Sequence, residues 1–193
     1  MADDVIAPGV QRLFVGVRIR SSPAVRSLLS RLGGMGNAVR PTREEQLHVT
    51  LKFLGDTAED VVDPLRDAMT DVLDGSAAFD WNLRGVGAFP TAARPSVAWI
   101  GADDAGRFAS LAERIESAAS RFGFQREGRK YHPHVTVARV KFRPPQELAW
   151  LLRDSADAEF GPQRAEEVVL FRSDLGRGGS VYTPLHVVGL AAE

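Results

Sequence analysis

With 193 residues, 44% of them hydrophobic, the chain can bury a core without staples, and the absence of cysteine excludes disulfides, thiol catalysis and thiolate-held zinc. A formal net charge of −1 excludes the broad basic footprint of a protein that coats nucleic acid, while leaving room to recognise a single terminal phosphate. No stretch approaches the ~20 consecutive apolar residues of a membrane span, and Asp3 and Asp4 stand where a targeting segment would be basic, so a cytoplasmic location is expected. A monomer is expected as well.

Residues 1–11 read as a loose tail. Residues 12–20 alternate, with Leu13, Val15, Val17 and Ile19 on one face of a half-buried strand. Ser22-Pro23 opens a helix, since the hydroxyl can cap an orphan N–H and proline is preset for the first turn. Val25, Leu28, Leu29 and Leu32 form its apolar stripe, and Gly33-Gly34 ends it. A strand with a polar face starts at His48. Thr57 is then placed as the N-cap of a second helix, with Val61, Leu65, Met69 and Val72 at helical spacing up to Gly75. Trp81, Leu83 and Val86 indicate a strand that bulges near Gly85 and Gly87, and the turn-rich residues 90–95 mark the midpoint.

The second half repeats that order. Residues 96–101 are a short apolar strand, and Asp103 or Asp104 caps a helix bearing Phe108, Leu111, Ile115 and Phe122. A charged segment (Arg126, Glu127, Arg129, Lys130) leads to a second polar-faced strand at His134. Pro144-Pro145 opens a helix with Leu148, Leu151 and Leu152 inward, and residues 167–171 and 181–188 read as strands joined across 176–179. Strand, helix, motif strand, helix, strand in each half implies a duplication. The expected fold is α+β, a single domain of two lobes at approximately 12–90 and 96–190 between which the chain can cross, with antiparallel sheets and one motif strand from each lobe facing a shared central cleft.

The chemistry sits on two stretches: His48-Val49-Thr50-Leu51-Lys52-Phe53-Leu54-Gly55 and His134-Val135-Thr136-Val137-Ala138-Arg139-Val140. In a strand residues i and i+2 share a face, so each His lies beside its Thr, ~6–7 Å along, while Val49, Leu51, Phe53, Val135 and Val137 face the other way. Thr fills 7 positions and His 4, so the double coincidence is a strong signal. Histidine titrates near neutrality and suits acid or base work, and a hydroxyl can donate to charge building on a phosphate. In-line attack at phosphorus needs base and acid on opposite sides, which two facing strands supply.

Five neighbours are candidates with a structural alternative each. Lys52 continues the His48 face and would meet a second phosphate, or is a solvated strand-end charge. Arg139 falls off the alternation and reaches the cleft only if its strand bends; arginine also serves structural ion pairs. Tyr131 and Phe89 would stack a base or belong to the core. His132 with His134 and His48 could make a three-histidine zinc site, against which stand Pro133 at the strand entry and the lack of an accompanying carboxylate.

These motifs, with the opening RLFVGVRI, the extended LHVTLKFLG, GVGAFP followed by RPSVAWIG, HPHVTVAR and the closing FRSDLGRGGSVYTPL, resemble the 2H phosphoesterase superfamily. Within it they are similar to the bacterial and archaeal RNA 2′,3′-cyclic phosphodiesterases of the LigT/ThpR type. The resemblance implies a bilobal fold with pseudo-twofold symmetry and helices outside. It also implies cofactor-free, metal-independent hydrolysis of a terminal RNA 2′,3′-cyclic phosphate to a 2′-phosphate. Carried over by motif, His48 is the proton donor, His134 the proton acceptor, and Thr50 and Thr136 hold the non-bridging oxygens. The segment RPTREEQ lacks an aromatic common there in relatives, which leaves base preference open. A small cyclic nucleotide as substrate, 2′,5′ ligation as the reverse reaction, and an RNA-end binding module without turnover are the alternatives.

Overall fold

The computed structural model describes residues 9–141, 143–176 and 179–192. The chain opens on β1 (Val10–Arg18) and α1 (Pro23–Gly33), with Ser22 Oγ accepting from the Val25 N–H as the cap expected there. β2 (Val39–Pro41) and β3 (His48–Ala58) lead to α2 (Glu59–Leu73), followed by the hairpin strands β4 (Phe79–Thr91) and β5 (Arg94–Ala102). Then come α3 (Ala105–Ser120), capped by Asp104, β6 (His134–Val140) and α4 (Gln146–Asp154). β7 (Glu159–Ala165), β8 (Glu167–Gly176) and β9 (Gly179–Gly189) complete an α+β fold. Of the loose tail expected at 1–11, residues 1–8 lie outside the described residues, and Val10 and Gln11 pair with Ala58 and Thr57.

The strands form a sheet in the order β7-β4-β5-β6-β3-β1-β8-β9, with β2 paired to β6, and neighbouring strands run antiparallel. The sheets expected to face each other are thus two quartets of one sheet, β3-β1-β8-β9 and β6-β5-β4-β7, joined at Val49↔Val135. The quartets interleave the halves of the chain: β8 and β9 join β1, and β4 joins β5. The turn-rich break at 90–95 is a tight hairpin, Thr91 pairing with Arg94, and it keeps β4 beside β5.

The main core packs Leu13, Val15 and Val17 of β1 with Leu28, Leu65, Phe108, Ile115 and Leu151 of the four helices. A second cluster, Phe14, Val169 and Phe171 with Tyr182 against it, covers the other face of β1 and β8, so β1 is buried on both sides. Thr57 does not cap α2. The strand runs on to Ala58, and the buried Thr57 hydroxyl donates to the Gly55 carbonyl at 3.2 Å. Among the described residues, no helix is long and apolar enough to cross a membrane.

Candidate active site

β3 and β6 lie side by side, and the bridge Val49↔Val135 sets their register. Antiparallel pairing about that bridge brings position 48 opposite 136 and position 50 opposite 134. The polar face therefore carries a quadrilateral of His48, Thr50, His134 and Thr136. Corners directly across the two strands are ~5 Å apart at Cβ, and the two imidazoles take one diagonal, about 7–8 Å, with the two hydroxyls on the other. The two histidine-bearing strands, expected to face each other across a cleft, are antiparallel neighbours in one sheet.

Each imidazole is oriented by the backbone two residues earlier. His48 Nδ1 lies 2.7 Å from the Gln46 carbonyl oxygen, and His134 Nδ1 lies 2.7 Å from that of His132. A carbonyl only accepts, so each Nδ1 carries the hydrogen and each Nε2 is left for proton exchange. Aromatic walls complete the orientation. Phe14 (ring centroids 4.7 Å) and Tyr182 (5.4 Å, edge on) flank His48, and Phe89 (5.0 Å) flanks His134. Gly16, paired with Thr50, permits the close approach, because a Cβ there would lie 2.8 Å from the Val49 oxygen and 3.2 Å from His48 Cδ2.

Burial pushes the His48 imidazole down to about 4, opposed by its bond to the Gln46 carbonyl and reinforced by the nearby His134. Burial lowers His134 as well, the His132 carbonyl opposing and the His132 imidazole adding to the effect. A histidine lowered in this way is neutral above pH 6.5 and gains its proton only as pH falls. If this pair supplies one acid and one base, kcat/KM, which reports the free protein, should peak below about pH 6.5. A bound phosphodiester anion favours both imidazolium forms, so the kcat profile should lie at higher pH. An optimum of kcat/KM above about pH 7 would contradict the burial argument.

One structural cause moves Lys52 out of the site and Arg139 into it. Val15 pairs with Lys52 and Gly16 with Thr50, so Leu51 is an extra residue in β3; Ala98 pairs with Ala138 and Trp99 with Thr136, so Val137 is an extra residue in β6. Each bulge shifts the alternation by one. Leu51 and Lys52 are both buried, Lys52 at 5% exposure, and Phe53 emerges on the cleft side at 55% exposure with Arg12 over its ring at 5.2 Å. In β6 the same step buries Val137 and Ala138 and turns Arg139 to the cleft. The expectation that Lys52 shares the His48 face is corrected, and so is the placement of Phe53 opposite it.

The remaining candidates divide. Tyr131 is no stacking platform: its hydroxyl donates to the Thr50 carbonyl at 2.8 Å, and burial pushes its pKa up. Phe89 stands against His134 and Trp99. His132 is exposed beside Trp99, its ring 6.0 Å from that of His134. The three-histidine zinc reading is not met, since among the described residues no group of three His, Asp or Glu side chains could hold a metal ion.

The cleft has a volume of about 600 Å³. Arg12, Arg40, Arg43 and Arg139 line it, and among the described residues no carboxylate does. Arg40 is the registered partner of Arg139, so β2 and β6 bring two guanidinium groups to the same side of the cleft. Arg12, Arg40 and Arg43 were not legible as site residues because they arrive from β1, from β2 and from the approach to β3, outside either motif. Phe53 and Arg139 had a signal: they occupy the same place in the two motif copies.

Residues 20–177 match the family model of the 2′-5′ RNA ligase superfamily. The chain is 33% identical over 160 residues to the RNA 2′,3′-cyclic phosphodiesterase of Aeropyrum pernix, covering 82% of this chain and 90% of the relative. It is 36% identical over 153 residues to that of Methanothermobacter thermautotrophicus (79% and 83%) and 33% identical over 178 residues to that of Archaeoglobus fulgidus (91% and 98%). A crystal structure of a Thermus thermophilus protein matches with a TM-score of 0.78 at 27% identity, over 94% of this chain and 99% of that one. E. coli LigT complexed with 3′-AMP matches in fold, with a TM-score of 0.74 at 24% identity over 94% and 99%.

Proposed function

The chain belongs to the 2′-5′ RNA ligase superfamily, and from that premise we propose that it is an RNA 2′,3′-cyclic phosphodiesterase working by two histidines without a metal ion. The observation that carries the reading is the quadrilateral: two imidazoles on one diagonal and two hydroxyls on the other, with His48, Thr50 and Thr136 lining an arginine-rich cleft and His134 registered beside them.

A cyclic phosphate placed over the centre has a histidine Nε2 on either side of phosphorus. His134 Nε2 takes a proton from water as the water oxygen bonds to phosphorus. The bond from phosphorus to the 3′-oxygen breaks, and that oxygen takes the Nε2 proton of His48. A 2′-phosphate and a free 3′-hydroxyl result, with His134 left protonated and His48 neutral. Solvent exchange restores both. The near symmetry of the two motifs makes either direction geometrically feasible, and the division of roles follows the family resemblance. Burial pushes His48 down to about 4, so the proton it donates is held there by the substrate's own charge. Thr50 and Thr136 donate to the non-bridging oxygens as negative charge builds.

The arginine-rich lining of the cleft, with no carboxylate among its described residues, suits the polyanionic end of an RNA. Phe53 under Arg12 offers a stacking face for a base. The test is a short RNA with a 2′,3′-cyclic end, incubated with and without EDTA. Conversion to the 2′-phosphate at the same rate in both is expected. Tight binding without conversion would make the protein an RNA-end binding module, and loss in EDTA restored by zinc would overturn the metal-free reading.

A further inference from the structure

Lys52 has no part in the chemistry above, yet it is among the most buried charges of the described residues. Its side chain is 4% exposed and that of its partner Glu116, on α3, is 12% exposed. Lys52 Nζ donates to Glu116 Oε1 at 2.8 Å and to the Gln125 carbonyl at 2.9 Å. Glu116 Oε2 is buried without a hydrogen-bond partner. A buried ion pair contributes little over an apolar pair of equal volume, and an unmatched buried carboxylate oxygen costs stability. The pair is therefore a poor device for holding a core together. It is a specific device for holding one segment in place.

That segment is the irregular connector 121–133 between α3 and β6. It is stitched down at Gln125 by Lys52, at Glu127, whose N–H donates to Glu116 Oε1 at 3.4 Å, and at Tyr131, whose hydroxyl donates to the Thr50 carbonyl at 2.8 Å. Two of these ties come from β3, at positions 50 and 52. Next to Tyr131 in the connector is His132, whose carbonyl takes the Nδ1 hydrogen of His134. The equivalent of Lys52 in the second motif is the buried Ala138, so no matching tie runs the other way.

We propose that Lys52 is a positioning residue for His134: through Glu116 and Gln125 it fixes the connector so that the His132 carbonyl holds the His134 ring with its hydrogen on Nδ1. The first motif strand thereby orients the base of the second. An imidazole that is not held exchanges its hydrogen between the two nitrogens, and only the form with a bare Nε2 can accept a proton from water. The consequence for rate rests on the proposed cyclic-phosphate chemistry; the consequence for the His134 tautomer does not.

Lys52→Met alone strands Glu116 in the core, so the informative variant is Lys52→Met with Glu116→Leu, which replaces the pair by apolar side chains. We expect it to fold, with kcat on cyclic-ended RNA about 10-fold lower at unchanged KM, through loss of orientation. Long-range 1H–15N correlation at about pH 7.5, where a histidine of lowered pKa is neutral, should show His134 as a mixture of tautomers while His48 keeps its hydrogen on Nδ1. A double variant in which His134 stays wholly in the Nδ1–H form, with kcat at the wild-type value, overturns the proposal. Failure of the wild-type protein to consume a cyclic end would instead overturn the functional reading and leave the tautomer result to judge Lys52.

Discussion

His48→Ala and His134→Ala are each expected to slow hydrolysis of a 2′,3′-cyclic-ended RNA at least ~100-fold, by loss of the general acid or the general base. In the proposed mechanism the two imidazoles act on the same phosphorus in one step, so the double variant should be little worse than either single one. Binding should suffer less than turnover, because Arg12, Arg40, Arg43 and Arg139 remain in the cleft. Single-turnover kinetics on the oligonucleotide, with binding measured separately, checks both statements. Near-normal turnover in either variant removes that histidine from the mechanism.

Thr50→Val and Thr136→Val are each expected to lower kcat by on the order of 10², the usual cost of removing one donor aimed at developing negative charge. Valine keeps the branched shape and suits a strand, so β3 and β6 should persist. The bond from the Tyr131 hydroxyl also survives in Thr50→Val, because it ends on the backbone carbonyl. The loss should therefore fall on kcat, where charge has built, more than on KM. A change confined to KM would recast the hydroxyls as ground-state clamps for the phosphate.

Much of this was legible along the chain because the signals are local. The Ser22 and Asp104 caps depend on a side chain reaching an N–H three residues on, and both form. The stripe of Val25, Leu28 and Leu32, and that of Phe108, Leu111 and Ile115, follow from helical period and are buried. Thr57 misled for an equally local reason: an N-cap residue in the right spacing is also a good strand residue, and pairing with β1 won.

The recurrence of His-x-Thr is a property of the sequence by itself, and so is the alternation that sets each His beside its Thr. Both need only the geometry of a single strand. The tertiary structure decided which side chains join them. Strand order interleaves the two halves of the chain, because pairing partners are chosen by packing between distant segments. The paired bulges at Leu51 and Val137 appear only against the neighbouring strands β1 and β5, since an extra residue is defined by what it fails to oppose. Those two bulges sent Lys52 into the core and Phe53 and Arg139 to the cleft.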